Sequence, residues 1–153
     1  MDKNGRDALS DGSVLLALKK KLVAEATEEA LISLLSCLKD SKVLVPFNVI
    51  LSARDQERYR QCKYGDTFKN QDSVRMEPDL LRHPDGSLYF PIFTRQEQIP
   101  DDYASRFSIV PISAMQCLQA AHDSGGVKGL VLDAFTESFS LPFELADIMK
   151  ELP

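Results

Sequence analysis

Residues 84–94 read PDGSLYFPIFT, and few backbone paths are open to such a run. In His83-Pro84-Asp85-Gly86, proline presets the φ of a turn's second position. Aspartate hydrogen-bonds its own local backbone, and glycine accepts the positive φ that closes the turn as a bulge. The spacing then predicts a strand. Leu88, Phe90 and Ile92 fall on one face, and Tyr89, Pro91 and Phe93 on the other. Both faces are apolar, which is the pattern of a strand covered on two sides. Pro91 lacks an N–H and predicts an unpaired edge or a bulge. Thr94-Arg95-Gln96-Glu97 has the form of a capping box, with Pro100 limiting the helix to about one turn.

The flanking sequence supplies the other elements. Residues 1–12 read as a flexible tail, and 13–153 as one domain. Ser13 is placed to cap a helix reaching about Ala24, with Val14, Leu15, Leu18 and Leu22 at helical spacing. Thr27 opens a second helix with Glu28 and Glu29 in its first turn, where carboxylates suit the dipole. Its stripe is Leu31, Leu34, Leu35 and Leu38. Lys42 to Leu51 reads as a buried strand carrying Pro46 as a sign of an edge or bulge. Residues 52–73 are polar and mixed in charge, suiting either a mobile loop or a short polar helix. Val74 to Arg82 is a weaker strand expected to pair across the turn with 87–93.

Arg106 to Ile112 reads as a strand, and Ser113 with Gln116 caps a helix to about Asp123 whose core side is Met115, Leu118 and Ala121. Gly125-Gly126 ends that helix, and Lys128 to Asp133 is the next strand. Strand, helix and strand with short connections predict a parallel crossover. After a turn at 134–138, Phe139 to Leu141 forms a short strand. Pro142 then begins a terminal helix with Leu145, Ile148 and Met149 on one face. The fold class that follows is α+β: a mixed sheet of about five strands flanked by helices.

Charge narrows the partners. The formal net charge is -5, with 18 Lys and Arg against 23 Asp and Glu. Nucleic acid and anionic membrane need clustered cations and are disfavoured. Lys19-Lys20-Lys21 is a local exception that reads as the solvated C-terminal half of a helix. No apolar run is long enough to span a membrane, and the polar opening MDKNGRDALSDGS has no signal-peptide core, so a cytoplasmic location is expected. Cys37, Cys62 and Cys117 are odd in number and widely spaced, which fits reduced thiols rather than a disulfide frame or zinc site.

The order of these elements resembles the N-terminal domain of SseB-like proteins. Two helices precede Lys42-Val43-Leu44-Val45-Pro46, and a polar segment follows. Then come Asp85-Gly86, Pro91-Ile92-Phe93-Thr94, a helix, and Gly129-Leu130-Val131-Leu132-Asp133. The similarity covers roughly residues 13–150. The chain has Asp133-Ala134 where such proteins often carry Asn-Pro. The resemblance implies a mixed α+β domain of a cytoplasmic bacterial protein. It implies no established catalytic residue, and no motif in the chain calls for a cofactor.

Candidate chemistry is sparse. Cys62-Lys63-Tyr64-Gly65-Asp66-Thr67 looks like the active loop of a sulfurtransferase, in which backbone N–H groups and a basic neighbour stabilise a thiolate. Such a loop needs a buried strand before it, and ARDQERYRQ is not one. Cys37 and Cys117 read as small core residues. His83 and His122 have no second ligand at metal spacing, so no metal site is expected. Asp101-Asp102 reads as a solvated turn. Ser124-Gly125-Gly126 follows a helix instead of preceding one, the wrong dipole end for an anion.

Tyr89, Pro91 and Phe93 are the candidate interaction patch, exposed if helices cover only the opposite face. The leading expectation is therefore a non-catalytic protein-interaction or adaptor module that binds a protein partner or itself. One alternative is a thiol-dependent sulfurtransferase-like enzyme using Cys62. Another is a small-ligand sensor with a pocket at the strand ends near Asp133.

Overall fold

A computed structural model of the chain describes residues 12–61 and 75–153. The first described elements are α1 (Ser13–Glu25) and α2 (Glu28–Lys39), which pack side by side. Thr27 caps α2 as expected, its hydroxyl accepting the Ala30 N–H at 3.1 Å. The cap of α1 is Gly12 and not Ser13. Gly12 sits at φ 83 against the backbone of Thr94, and a Cβ there would lie 1.9 Å from the Thr94 carbonyl oxygen. A close approach of two backbones therefore requires glycine one residue before the expected cap.

The strand β1 (Lys42–Ile50) follows, then α3 (Ala53–Gln61). The first part of the polar segment is thus helix; the rest of it, Cys62 included, lies outside the described residues, as do residues 1–11. Next come β2 (Arg75–Pro78), β3 (Leu81–Arg82) and β4 (Leu88–Ile92). The turn before β4 closes as its residues dictate. Gly86 at φ 91 donates its N–H to the His83 carbonyl at 2.8 Å, and the Asp85 carboxylate accepts the Ser87 N–H at 2.8 Å. That hydrogen bond, together with His83, holds the Asp85 pKa below the usual carboxylate value. Only β3 pairs with β4 across this turn; β2 pairs with β1 instead.

The remaining elements are a 3₁₀ turn (Gln96–Gln98), α4 (Asp101–Ala104), β5 (Ser108–Ser113), α5 (Ala114–Asp123), β6 (Val127–Leu132), β7 (Phe139–Pro142), α6 (Phe143–Ala146) and a 3₁₀ turn (Asp147–Glu151). Ser113 caps α5 by accepting the Gln116 N–H at 3.2 Å. Thr94 makes no capping box, because its hydroxyl and N–H are both committed to Asp133.

Among the described residues the strands form two sheets, β2-β1-β5 and β3-β4-β6-β7. One antiparallel bridge, Leu44 with Phe93, joins them. β5 is antiparallel to β1, β1 to the end of β4, and β4 is parallel to β6. β5 and β6 therefore run in the same direction, as a crossover requires, but β1 and β4 lie between them. The parallel partner of β6 is β4.

Pro46 and Pro91 both lie in interior strands, and the reason is the break between β2 and β3. Leu44 exchanges both backbone hydrogen bonds with Phe93, so Pro46, two residues on, faces the same side. There its carbonyl accepts the N–H of Asp79, in the gap between β2 and β3. Pro91 lies between Tyr89, paired with Leu81, and Phe93, paired with Leu44, and so faces that gap too. Neither missing N–H costs a ladder bond. The register between β4 and β6 shifts between Leu88 and Phe90, where the extra residue lies on β6; Pro91 itself stays in register with Val131.

Helices α1, α2 and α5 cover one face of the larger sheet. Phe90, Ile92, Leu130, Leu132 and Leu141 point into the core with Leu15, Leu34, Leu35, Leu38 and Leu118. The chain forms an α+β domain around this core. Among the described residues no helix is long and apolar enough to cross a membrane.

Candidate functional site

Two neighbouring features converge at the C-terminal ends of the parallel strands β4 and β6. The first is a buried polar network. Strand β6 ends in Asp133, which turns the chain at φ 50, a left-handed conformation that aspartate tolerates better than most residues. Its carboxylate accepts the Thr94 N–H at 2.8 Å and the Thr94 hydroxyl at 2.9 Å. Lys19 of α1 completes the set with its ammonium 2.8 Å from Asp133 Oδ2. Lys19 also donates to the Glu137 carbonyl at 2.6 Å. The side chains of Lys19 and Asp133 are both 0% exposed. Two charges taken from water are costly, and full hydrogen bonding is what makes them tolerable. Neither group meets solvent, so the network holds the turn and offers nothing to a substrate in this conformation.

This placement corrects the expectation for Lys19-Lys20-Lys21. Lys20 and Lys21 are exposed, but Lys19 is buried. A signal was available: Lys19 falls on the buried stripe of α1 with Leu15 and Leu22, at i, i+4 and i+7. Thr94 has the local pattern of a cap, because its long-range partner, 39 residues away, leaves no mark on the neighbouring sequence.

The second feature lies on the outer face of the larger sheet. The turn at 133–138, pinned at both ends by Lys19, forms one wall of a half-open groove of about 440 Å³. Ala134, Phe135 and Ser138 come from the turn, Val131 and Ser140 from β6 and β7, and Tyr89 from β4. Leu81, Arg82, His83 and Pro84 close the other side. Phe135 is 45% exposed although its ring stacks on Phe93 at 6.1 Å and meets Tyr103 at 4.7 Å. Tyr103 donates its hydroxyl to Asp79 at 2.6 Å; burial and that bond push its pKa upward.

The structure separates the three patch residues. Tyr89 lines the groove and is half-buried, whereas Pro91 and Phe93 are buried. Phe93 lies beneath the exposed Phe135, so the accessible aromatic at this place is one that the strand pattern did not supply. Phe135 sits in a turn, where no periodicity distinguishes inside from outside.

The other candidates are scattered. Cys117 is buried, and burial pushes its thiol pKa up to about 12; Cys37 is half-buried. His83 lies in the turn 3.2 Å from Asp85. His122 stacks on Phe143 and shares a 2.6 Å hydrogen bond with Asp147. Burial acts to raise the Asp147 pKa, but His122 and Lys150 together lower it. Asp101 and Asp102 are exposed in the first turn of α4. Among the described residues no three His, Cys, Asp or Glu side chains gather as a metal set.

The family model of the SseB protein N-terminal domain matches residues 17–148. The chain belongs to the SseB N-terminal domain family. The match spans α1 to the terminal 3₁₀ turn, and so takes in Lys19, Thr94, Asp133 and every groove residue. No curated protein and no solved structure matches the chain.

Proposed function

We propose that this SseB-family domain is a non-catalytic protein-interaction module of the bacterial cytoplasm, and that the outer face of its larger sheet is the binding surface. The observation that carries this reading is the groove with Phe135 at its rim: a large aromatic left 45% exposed beside Tyr89, on a turn held in place by a buried ion pair. Ordering a binding loop before the partner arrives lowers the entropy lost on association. Exposed aromatics beside an apolar groove are typical of recognition surfaces.

Dye binding and oligomeric state test the reading. The protein is expected to enhance the fluorescence of 8-anilinonaphthalene-1-sulfonate, with Phe135→Ser and Tyr89→Ser each reducing the signal at least twofold. A dye-silent protein that stays strictly monomeric at high concentration by light scattering would overturn it.

A further inference from the structure

The groove is not evenly apolar. Among the described residues its lining includes Arg82 and His83 and no acidic side chain, although Asp85 lies 3.2 Å from His83. Arg82 is the one described lining residue with a formal positive charge, in a chain of net charge -5. Arg82 is exposed, and its guanidinium makes one long contact, 3.4 Å to the Gly86 carbonyl. The hydroxyls of Tyr89, Ser138 and Ser140 make no hydrogen bond within the described protein. A guanidinium, three uncommitted hydroxyls and an aromatic wall thus face one space, while the imidazole of His83 is already beside Asp85. Another groove of similar size, between the α1–α2 turn and β7, is lined by Glu28 and has no cation.

We infer that the groove takes an acidic segment of a partner polypeptide, with an apolar side chain lodged beside Tyr89 and Phe135 and a carboxylate on Arg82. This rests on the interaction reading above and adds the chemistry of the partner. Charge complementarity selects the acidic ligand, since Arg pairs bidentately with carboxylate and the hydroxyls supply further donors. The groove's form selects a polypeptide. Small-molecule sites bury about 70–90% of their ligand, and this groove is only half-enclosed. A chain crossing it needs only one side chain seated. Arg82 and His83 are too few to hold a nucleic-acid backbone.

The test is fluorescence anisotropy with three short labelled peptides. The first alternates Asp and Glu with Phe and Leu. The second has Lys at every acidic position, and the third has Ser at every apolar one. The first is expected to bind saturably and the others at least tenfold more weakly. Arg82→Gln, an exposed substitution whose fold is checked by its thermal melt, should weaken the first peptide about tenfold. If the Lys peptide binds as well as the first, or Arg82→Gln changes nothing, the acidic partner is wrong. Sensitivity of that same binding to Phe135→Ser would still uphold the interaction surface. Full displacement by phenylacetate alone would reassign the groove to a small molecule and overturn the proposal. Failure of all three peptides to bind would overturn it too, leaving the dye and light-scattering result to judge the broader reading.

Discussion

Lys19 and Asp133 show how much one buried contact constrains this molecule. The pair joins α1 to the end of β6, and its second bond, to the Glu137 carbonyl, fixes the far end of the same turn. Removing one partner leaves the other charged and without solvent, which costs about 3–5 kcal/mol in comparable sites. Lys19→Met is therefore expected to lower the unfolding free energy by about that amount in urea melts. Lys19→Met combined with Asp133→Asn should recover part of the loss. The neutral amide still accepts from Thr94, and asparagine tolerates the φ of 50. A double variant no more stable than Lys19→Met would show that the charge is not what makes the loss large.

At the scale of elements, β6 is the hinge of the architecture. It pairs in parallel with β4 and antiparallel with β7, and it delivers Asp133 to the network. Gly129 lets β7 approach closely, for a Cβ there would lie 2.1 Å from the Leu141 carbonyl oxygen and 2.7 Å from the Pro142 Cα. Both obstacles are backbone, so the strand must move. Gly129→Ala is expected to cost about 2–3 kcal/mol in urea melts. Gly125→Ala, where a Cβ meets nothing within 4 Å, should stay within about 0.5 kcal/mol of the parent. Equal effects at the two sites would show that the close approach is not limiting. The prolines belong to this scale as well. Pro46 and Pro91 sit in central strands because the sheet opens between β2 and β3 where their nitrogens face.

For the whole molecule, one asymmetry sets the behaviour: helices bury one face of the larger sheet, while the other keeps an aromatic groove. The buried side also has a pH signature. Burial pushes the Cys117 thiol up to about 12, above the ordinary value of ~8.5. The unfolded chain then loses its proton first as pH rises, so this contribution is complete below about pH 8.5 and is lost progressively above it. The slope contributed is at most about 1.4 kcal/mol per pH unit. Cys117→Ala should flatten the decline in stability between about pH 8.5 and 10.5, read from urea melts at a series of pH values. Parallel declines in the two proteins would refute the assignment.

Most of the elements, and the family, are legible in local sequence. The Pro84-Asp85-Gly86 turn, the two-faced strand after it, the Thr27 and Ser113 caps and the leucine stripe of α2 each depend on neighbours within about one helical turn. The tertiary structure alone decided which polar groups are partners and which apolar ones stay in water. Lys19 looked solvated because its carboxylate lies 114 residues away in sequence, on another element. Thr94 looked like a cap because nothing nearby announces Asp133. Phe135 is exposed and Phe93 beneath it is not, although both are phenylalanine. Burial is a property of the packed layers, which composition and period do not specify by themselves.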